Sequence, residues 1–176
     1  MKIIYYVASS LDGYIAKNDG DVSWLDDLGI SMEETGYEQF YSSVDALVMG
    51  RKTYEMIVSF GQWPYGDKPV WVCSSKTISP HNDCNLQAGS SPEDTYKAAT
   101  SLNIKNLWLV GGGSLASSFL NKKLLTNINL SLMPIILGDG IKLFSHIPSP
   151  VRIITENENS HNSGMIQLDY NINYVE

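Results

Sequence analysis

The chain has 176 residues, of which 43% are hydrophobic and 18% are charged. These proportions are typical of a globular protein, and the length predicts a single domain over residues 1–176. The formal net charge is -7, and the twelve Lys and Arg residues are scattered along the sequence. Because a general nucleic-acid surface needs a basic face, the composition argues against nucleic acid as a partner.

Seven short apolar runs, most of them rich in β-branched or aromatic residues, predict β-strands. In chain order they cover residues 2–8, 45–50, 69–74, 106–110, 128–136, 151–155 and 165–175. The first four are almost continuously apolar, as expected of strands buried on both faces of a parallel sheet. The last alternates apolar with polar residues, which predicts a half-exposed antiparallel strand near an edge of the sheet.

Helical patterns lie between the early strands, at residues 31–43, 51–60, 91–103 and 114–123. The first begins with Ser31 and has Glu34 three positions later, which is the pattern of a capping box. The third has Ser91 at the N-cap and Pro92 at the first helical position. Strands and helices alternate until about residue 125, and strands dominate afterwards. The sequence therefore predicts an α/β fold with a mostly parallel sheet and antiparallel C-terminal strands.

Neither a membrane span nor a metal site is expected. No apolar run approaches the roughly 18 residues of a membrane-spanning helix, and the first residues lack the longer apolar region of a signal peptide. We therefore expect a soluble, cytoplasmic protein without a membrane partner. Cys73, Cys84 and the three histidines are not spaced as metal ligands, so neither a bound metal nor a structural disulfide is expected.

A run of three glycines stands where the fourth predicted strand ends and a helix begins. Gly111, Gly112 and Gly113 precede Ser114 and Leu115. Glycine lets a ligand approach the main chain closely, and the free amides of a helix N-terminus attract anions. The run therefore indicates either a phosphate or pyrophosphate site or a tight turn that binds nothing.

The same glycines suggest a Rossmann domain, but their position argues against one. Gly111, Gly113 and Ala116 fit the pattern G-x-G-x-x-A. The pattern follows the fourth predicted strand instead of the first, and no acid ends the next strand about 20 residues later. Without that acid, a cofactor with a 2′-phosphate fits better than one with a free ribose hydroxyl.

A second candidate phosphate site follows the second predicted strand. Gly50 ends this strand, and Arg51, Lys52 and Thr53 begin a helix. Cations at a helix N-terminus oppose the helix dipole, so their position is unfavourable unless an anion binds there. The alternative is a solvated basic pair.

A third candidate site follows the third predicted strand, where Ser74, Ser75 and Lys76 offer two hydroxyls and a cation. The carboxyl ends of parallel strands lie along one edge of a sheet, where open α/β sheets bind ligands. The three segments are therefore predicted to lie close together.

The order of several segments carries a family resemblance. VASSLDGYIA, VSWL, VMGRKTYE, VCSSK, VGGGSLASSFL and PIILGDGIKLF resemble the dihydrofolate reductase-like superfamily over residues 2 to about 145. They are most similar to its bacterial branch related to the reductase domain of the riboflavin-biosynthesis deaminase-reductase. The resemblance implies a three-layer α/β/α fold, an NADPH-dependent reductase, and a homodimer with the C-terminal strands at the interface.

The resemblance also implies a cofactor site. Ala8 would approach the nicotinamide, and Ile15 and Ala16 would belong to a flexible loop that covers it. The remaining cofactor contacts would be residues 50–53 at the phosphates, 74–76 at the adenosine 2′-phosphate and 111–115 at the pyrophosphate.

The substrate side of the resemblance is less complete. Trp24 is similar to the tryptophan that closes the folate-enzyme site, although Ser23 precedes it where the family has proline. Asp12 is similar to an aspartate that contacts substrate in the riboflavin reductases, but Asp12-Gly13 is also a common turn signal. Residues 54–69 depart from the stretch that helps to hold a sugar phosphate in those enzymes. The aromatic residues Tyr54, Phe60 and Trp63 in this segment either line a flat pocket or pack in the core.

Three functions follow from these observations. The first is an NADPH-dependent reductase that transfers a hydride to a pterin- or pyrimidine-like small molecule, with Asp12 and Trp24 on the substrate side. The second is dihydrofolate reduction proper. The third is a non-catalytic NADP(H)-binding protein. No acid among residues 26–38 aligns securely with the carboxylic acid that promotes pterin protonation in dihydrofolate reductases.

Overall fold

The computed structural model describes residues 1–174, so Val175, at the end of the last predicted strand, lies outside the described residues. The strands are β1 Lys2–Ser10, β2 Tyr14–Ala16, β3 Ala46–Gly50, β4 Val70–Cys73, β5 Leu86–Gln87, β6 Asn106–Gly111, β7 Asn127–Met133, β8 Ile141–Lys142, β9 Arg152–Ser160 and β10 Ile166–Asn173. The helices are α1 Trp24–Asp27, α2 Met32–Thr35, α3 Tyr37–Ser43, α4 Arg51–Ser59, α5 Pro92–Ser101 and α6 Gly113–Asn121.

Eight strands form one sheet in the order β5-β4-β3-β6-β1-β7-β10-β9. The first six strands of this order pair in parallel, whereas β10 is antiparallel to both β7 and β9. This confirms the predicted α/β class, with a mostly parallel sheet and antiparallel strands from the C-terminal part of the chain. A separate two-stranded sheet joins β2 to β8.

Successive side chains of the central strands enter two different cores, because side chains alternate between the faces of a sheet. On β6, Leu107 and Leu109 face a core that contains Phe119 of α6. Trp108 faces the other core, which contains Tyr54 of α4. The central strands are therefore buried on both faces, as their continuous apolar runs predicted.

Two local predictions needed correction. The helix predicted over residues 31–43 is interrupted at Gly36, which has a φ of 67° and separates α2 from α3. The strand predicted to end at residue 155 continues to Ser160 as β9, the outermost strand, on which all nine residues are exposed. The alternating strand β10 lies next to this edge strand, in agreement with its predicted position near an edge. The predicted caps are present, since the side chains of Ser31 and Ser91 accept hydrogen bonds from the backbone amides three residues later.

Within residues 1–174, no helix combines the length and the apolar composition that crossing a lipid bilayer requires. In the same part of the chain, no three His, Cys, Asp or Glu side chains cluster as metal ligands would. Cys73 and Cys84 are both free thiols.

Candidate active site

A cleft of about 490 Å³ opens at the carboxyl edge of the parallel strands. Its floor includes Ala8 from β1 and Gly111 from β6, and its sides come from α4, α1 and the loop between β2 and α1. The edge is the one predicted from the three phosphate-competent strand ends. The full lining is Tyr6, Val7, Ala8, Ile15, Ala16, Asn18, Asp19, Gly20, Val22, Leu25, Lys52, Thr53, Met56, Ile57, Phe60, Tyr65, Trp108, Val110, Gly111, Gly112 and Ile141.

One end of the cleft is made of bare backbone next to a hydroxyl group. Gly111 and Gly112 join β6 to α6, and the peptide bond between them is cis. The Thr53 Oγ1 atom lies 3.9 Å from the position that a Cβ would take on either glycine. A side chain on Gly111 or Gly112 would therefore enter the space in front of Thr53. The first turn of α6, with Gly112 as N-cap, begins at this point.

Gly113 has a different role from its two neighbours. A Cβ on Gly113 would overlap the carbonyl oxygen of Lys142 and press on that of Leu143. This glycine therefore allows α6 to pack closely against the chain at β8 and does not line the cleft. The next two residues also point elsewhere: the Ser114 and Ser145 hydroxyls lie 3.0 Å apart, and Leu115 is buried in the core.

The two cations at the start of α4 differ in their surroundings. Lys52 lines the cleft together with Thr53. Arg51 does not line it, and its Nη1 donates hydrogen bonds of 2.7 Å to both carboxylate oxygens of Glu55, one turn along the helix. Only part of the predicted phosphate-binding segment therefore faces the cleft directly, while Gly50 remains in the strand that leads to it.

Residues 74–76 lie just after β4, near the same edge of the sheet but outside the lining of the cleft. The Ser74 hydroxyl accepts a hydrogen bond from the Lys76 backbone amide and donates one to the Lys76 carbonyl, both at 2.9 Å. Ser75 and Lys76 are exposed. Their assignment to the 2′-phosphate of a cofactor stays a prediction.

Asp12 occupies a turn instead of the cleft. Its carboxylate accepts hydrogen bonds from the Ser10 hydroxyl at 2.6 Å and from the backbone amides of Leu137 and Gly138 at 3.1 and 2.7 Å. The Ser10 hydroxyl, and then these amides, hold the pKa of Asp12 below its ordinary value. Gly13 follows with a φ of 85°. The geometry favours the turn interpretation, in which Asp12 ties the β1–β2 connection to the segment after β7.

Trp24 lies behind the wall of the cleft. Its side chain is 3% exposed and packs with Met133 and Met165 in a small third core. Ala8 and Leu25 pack against this core and also line the cleft. The Trp24 indole nitrogen has no hydrogen-bond partner within residues 1–174. Trp24 therefore supports the wall, and its assignment to substrate closure stays a prediction.

A loop between β2 and α1 forms the mouth of the cleft. Lys17 and Asp21 pair at 2.7 Å across this loop. Asn18 donates a hydrogen bond of 2.8 Å to Asp139. The Met56 sulfur lies 3.8 Å from the Cβ position of Gly20, so α4 reaches this loop across the cleft.

Seven of the predicted cofactor residues meet in the cleft: Ala8, Ile15, Ala16, Lys52, Thr53, Gly111 and Gly112. The prediction missed Met56 and Ile57 of α4, which also line the cleft. The sequence carried a signal for them, because they recur with Thr53 on the helical spacing of three to four residues that marks one face. Of the three aromatic residues singled out, Phe60 lines the cleft, whereas Tyr54 and Trp63 pack in a core.

Comparison with known proteins decides the family. The model of the RibD C-terminal domain matches residues 63–164, more than half of the chain. The chain belongs to the RibD C-terminal domain family. This membership confirms the resemblance found in the sequence to the reductase domain of riboflavin biosynthesis.

Two individual proteins are similar to this chain over most of its length. The Bacillus subtilis protein YwjB is 30% identical over 153 residues, which are 86% of this chain and 87% of YwjB. A solved structure from Shewanella sp. PV-4, of a protein assigned to riboflavin biosynthesis, has a TM-score of 0.87 and 30% identity. The match covers 99% of this chain and 100% of that one.

A more distant structure shows the common fold. The Thermotoga maritima diaminohydroxyphosphoribosylaminopyrimidine deaminase/5-amino-6-(5-phosphoribosylamino)uracil reductase has a TM-score of 0.73 and 15% identity. The match covers 97% of this chain but 56% of that one, so this chain spans about half of the two-activity protein. At this identity the likeness concerns the fold alone.

Proposed function

We propose that this protein is an NADPH-dependent reductase that transfers a hydride to a small pterin- or pyrimidine-like heterocycle. The observation that carries the proposal is the cleft at the carboxyl edge of the sheet. The backbone of Gly111 and Gly112 and the Thr53 hydroxyl lie at one end of the cleft, Lys52 also lines it, and most of the other lining residues are apolar. The polar groups suit the phosphates of a dinucleotide, and the apolar lining suits its nicotinamide ring.

The residues of the cleft fit such a cofactor. The missing side chains of Gly111 and Gly112 leave room for a pyrophosphate beside Thr53 Oγ1 and the first turn of α6. Lys52 would neutralise part of its charge. Lys76, farther along the same edge, is the candidate for the 2′-phosphate that distinguishes NADPH from NADH. When bound, the dihydronicotinamide ring would supply the hydride.

The protein's own contribution would be alignment and exclusion of water. Ala8 and Ala16 are small and Ile15 is apolar, so they would let two flat rings approach face to face while limiting hydration. Asp19 is the one carboxylate in the described lining, and it is exposed on the loop at the mouth. A proton reaching the acceptor would therefore come from water or through Asp19.

A spectrophotometric assay tests the proposal. Purified protein would be mixed with NADPH and a panel of dihydropterins, dihydrofolate and aminopyrimidines, and NADPH oxidation followed by its absorbance. We expect repeated turnovers with at least one unconjugated heterocycle. A rate confined to dihydrofolate would identify dihydrofolate reduction proper. NADPH binding without oxidation across the panel would identify a non-catalytic nucleotide-binding protein instead.

A further inference from the structure

We infer that the acceptor reduced in this cleft is an uncharged planar heterocycle without a phosphate ester. The inference rests on the proposed function and narrows its substrate class. It separates this chain from the phosphoribosylated substrate named for the Thermotoga maritima protein.

The described lining of the cleft contains few charged side chains. Among the lining residues that the structure describes, Lys52 and Asp19 are the only charged side chains. Lys52 lines the cleft and precedes Thr53, whose hydroxyl lies at the glycine end, so the phosphates of the cofactor would bind Lys52. No lining cation then remains for an anionic substrate. A phosphate without a cation or several donors would lose its hydration with little compensation.

Two neighbouring cations, Arg51 and Lys17, are already held by carboxylates. Arg51 holds Glu55 through two contacts of 2.7 Å. Lys17 holds Asp21 at 2.7 Å. Each of these pairs would have to break before its cation could reach a ligand in the cleft.

One wall of the cleft is apolar. Met56 and Ile57 of α4 and Phe60 at its C-cap line this wall, and Tyr65 and Trp108 add aromatic surface. Phe60 is 70% exposed, a large apolar side chain at an open position. Covering this apolar surface with a flat, uncharged ring lowers the free energy of binding, whereas a phosphate against the same surface would lose its hydration.

The mouth of the cleft is acidic. Asp19 and Asp21 lie on the loop between β2 and α1, and Asp27 is near enough to act on the charge of Lys17 as they do. Asp139 is tied to the same loop through Asn18. Lys17 and Lys142 are the cations that act on these four carboxylates, which outnumber them and therefore repel an incoming phosphate and favour a neutral ligand.

The corresponding reaction is a two-electron reduction. A hydride would pass from the dihydronicotinamide to the electron-poor carbon of a C=N or C=C bond of the acceptor. A proton from water would complete the new N–H or C–H bond, and NADPH would become NADP⁺. No phosphate takes part in the bond changes, so the same reaction is open to a substrate with or without a phosphate ester.

A matched pair of ligands tests the inference. 5-Amino-6-(ribosylamino)uracil and its 5-phosphate ester share ring and sugar and differ in one phosphate. Calorimetric titration of each into the protein saturated with NADP⁺ compares their affinities. We expect the uncharged compound to bind about tenfold more tightly. Equal or tighter binding of the phosphate ester would overturn the inference, as would failure of the uncharged compound to bind.

A variant makes the comparison sharper. Met56→Arg places a guanidinium on the apolar wall, and we expect it to shift the preference toward the phosphate ester by about tenfold. Ser59→Arg adds the same charge to an exposed position of α4 outside the cleft lining and should leave the preference unchanged. Equal shifts in both variants would mean that overall charge, not the wall, sets the preference.

The proposed function is tested separately with the same protein. NADPH and NADP⁺ are titrated first, and absence of binding by either would contradict the proposed reductase. If they bind and the phosphate ester is preferred, the reductase stands and the inference on its substrate fails.

Discussion

At the residue scale, Arg51 and Lys52 show how adjacent cations acquire different roles. Both begin α4, but successive helix positions point about 100° apart. Arg51 meets Glu55 one turn later, whereas Lys52 faces the cleft. From the sequence, Arg51 and Lys52 were equivalent candidates for a phosphate ligand. Which of them faces the cleft depends on the orientation of α4 in the fold, and the sequence does not show that orientation.

This difference gives a prediction for cofactor binding. Lys52→Ala should weaken NADPH binding by about tenfold and reduce its dependence on salt, because a charge-assisted contact is lost. Arg51→Ala should have a smaller effect, since its guanidinium already holds Glu55. Fluorescence titrations at two salt concentrations measure both. A larger loss for Arg51→Ala would show that the Arg51–Glu55 pair opens when the cofactor binds.

Asp12 gives a prediction about acid stability. Its pKa lies below the ordinary value of 3.8, mainly because of the Ser10 hydroxyl, so its hydrogen bonds stabilise the fold above that pH. This stability is lost as pH falls through the lowered pKa. Asp12→Asn should therefore lower the melting temperature at neutral pH and lower it less at strongly acidic pH. Circular dichroism melts across this range would show it, with Asp26→Asn on the exposed side of α1 as the control.

At the element scale, the β6–α6 connection combines two requirements in consecutive glycines. Gly112 borders open space in the cleft, whereas Gly113 is pressed against the backbone of residues 142 and 143. A sequence motif of three glycines cannot separate these roles, because the distinction depends on β8 folding back over α6 from a distant part of the chain.

Paired substitutions separate the two requirements. Gly113→Ala should destabilise the protein by about 1–3 kcal/mol, the usual cost of overpacking. Gly112→Ala should leave stability nearly unchanged but weaken NADPH binding, since its methyl group would project toward the Thr53 side of the cleft. Urea unfolding and NADPH titration are needed for both. If Gly113→Ala were as stable as the wild type, the close packing of α6 on β8 would be wrong.

The sequence predicted strands correctly where burial requires a continuous run of apolar residues. Val48, Trp71 and Leu109 belong to runs that are apolar on both sides, and each lies in a central strand. The second half of β9, residues 156–160, is exposed on both sides of this edge strand and has no apolar alternation. The short strands β2, β5 and β8 were missed, since two or three residues carry too little periodicity.

At the scale of the whole molecule, strand order brings the site together. β1, β3 and β6 are distant in sequence but adjacent in the sheet, so Ala8, Thr53 and Gly111 meet at one edge. The sequence predicted this edge because parallel strands share it. It did not predict the contribution of Met56 and Ile57 to the cleft, although their helical spacing from Thr53 marks one face of α4. The acidic loop at the mouth was not predicted either, because it carries no recognisable motif.

Assembly is a property of the whole molecule that stays a prediction. The sequence resemblance implies a homodimer through the C-terminal strands, and Ile153 and Ile154 are 42% and 50% exposed on the edge strand β9. We expect sedimentation velocity to give about twice the 19.5 kDa mass of one chain. Ile154→Lys should shift the protein to monomer without unfolding it. A wild-type monomer at micromolar concentration would contradict the prediction.

Calorimetric titration of purified protein with NADPH and with NADH shows whether the cleft binds a dinucleotide. Lys52, Thr53, Gly111 and Gly112 should hold the phosphates shared by both coenzymes, and Lys76 the additional phosphate of NADPH. We expect saturable binding of NADPH, weaker binding of NADH, and loss of this preference in Lys76→Ala. No heat with either coenzyme would contradict this expectation.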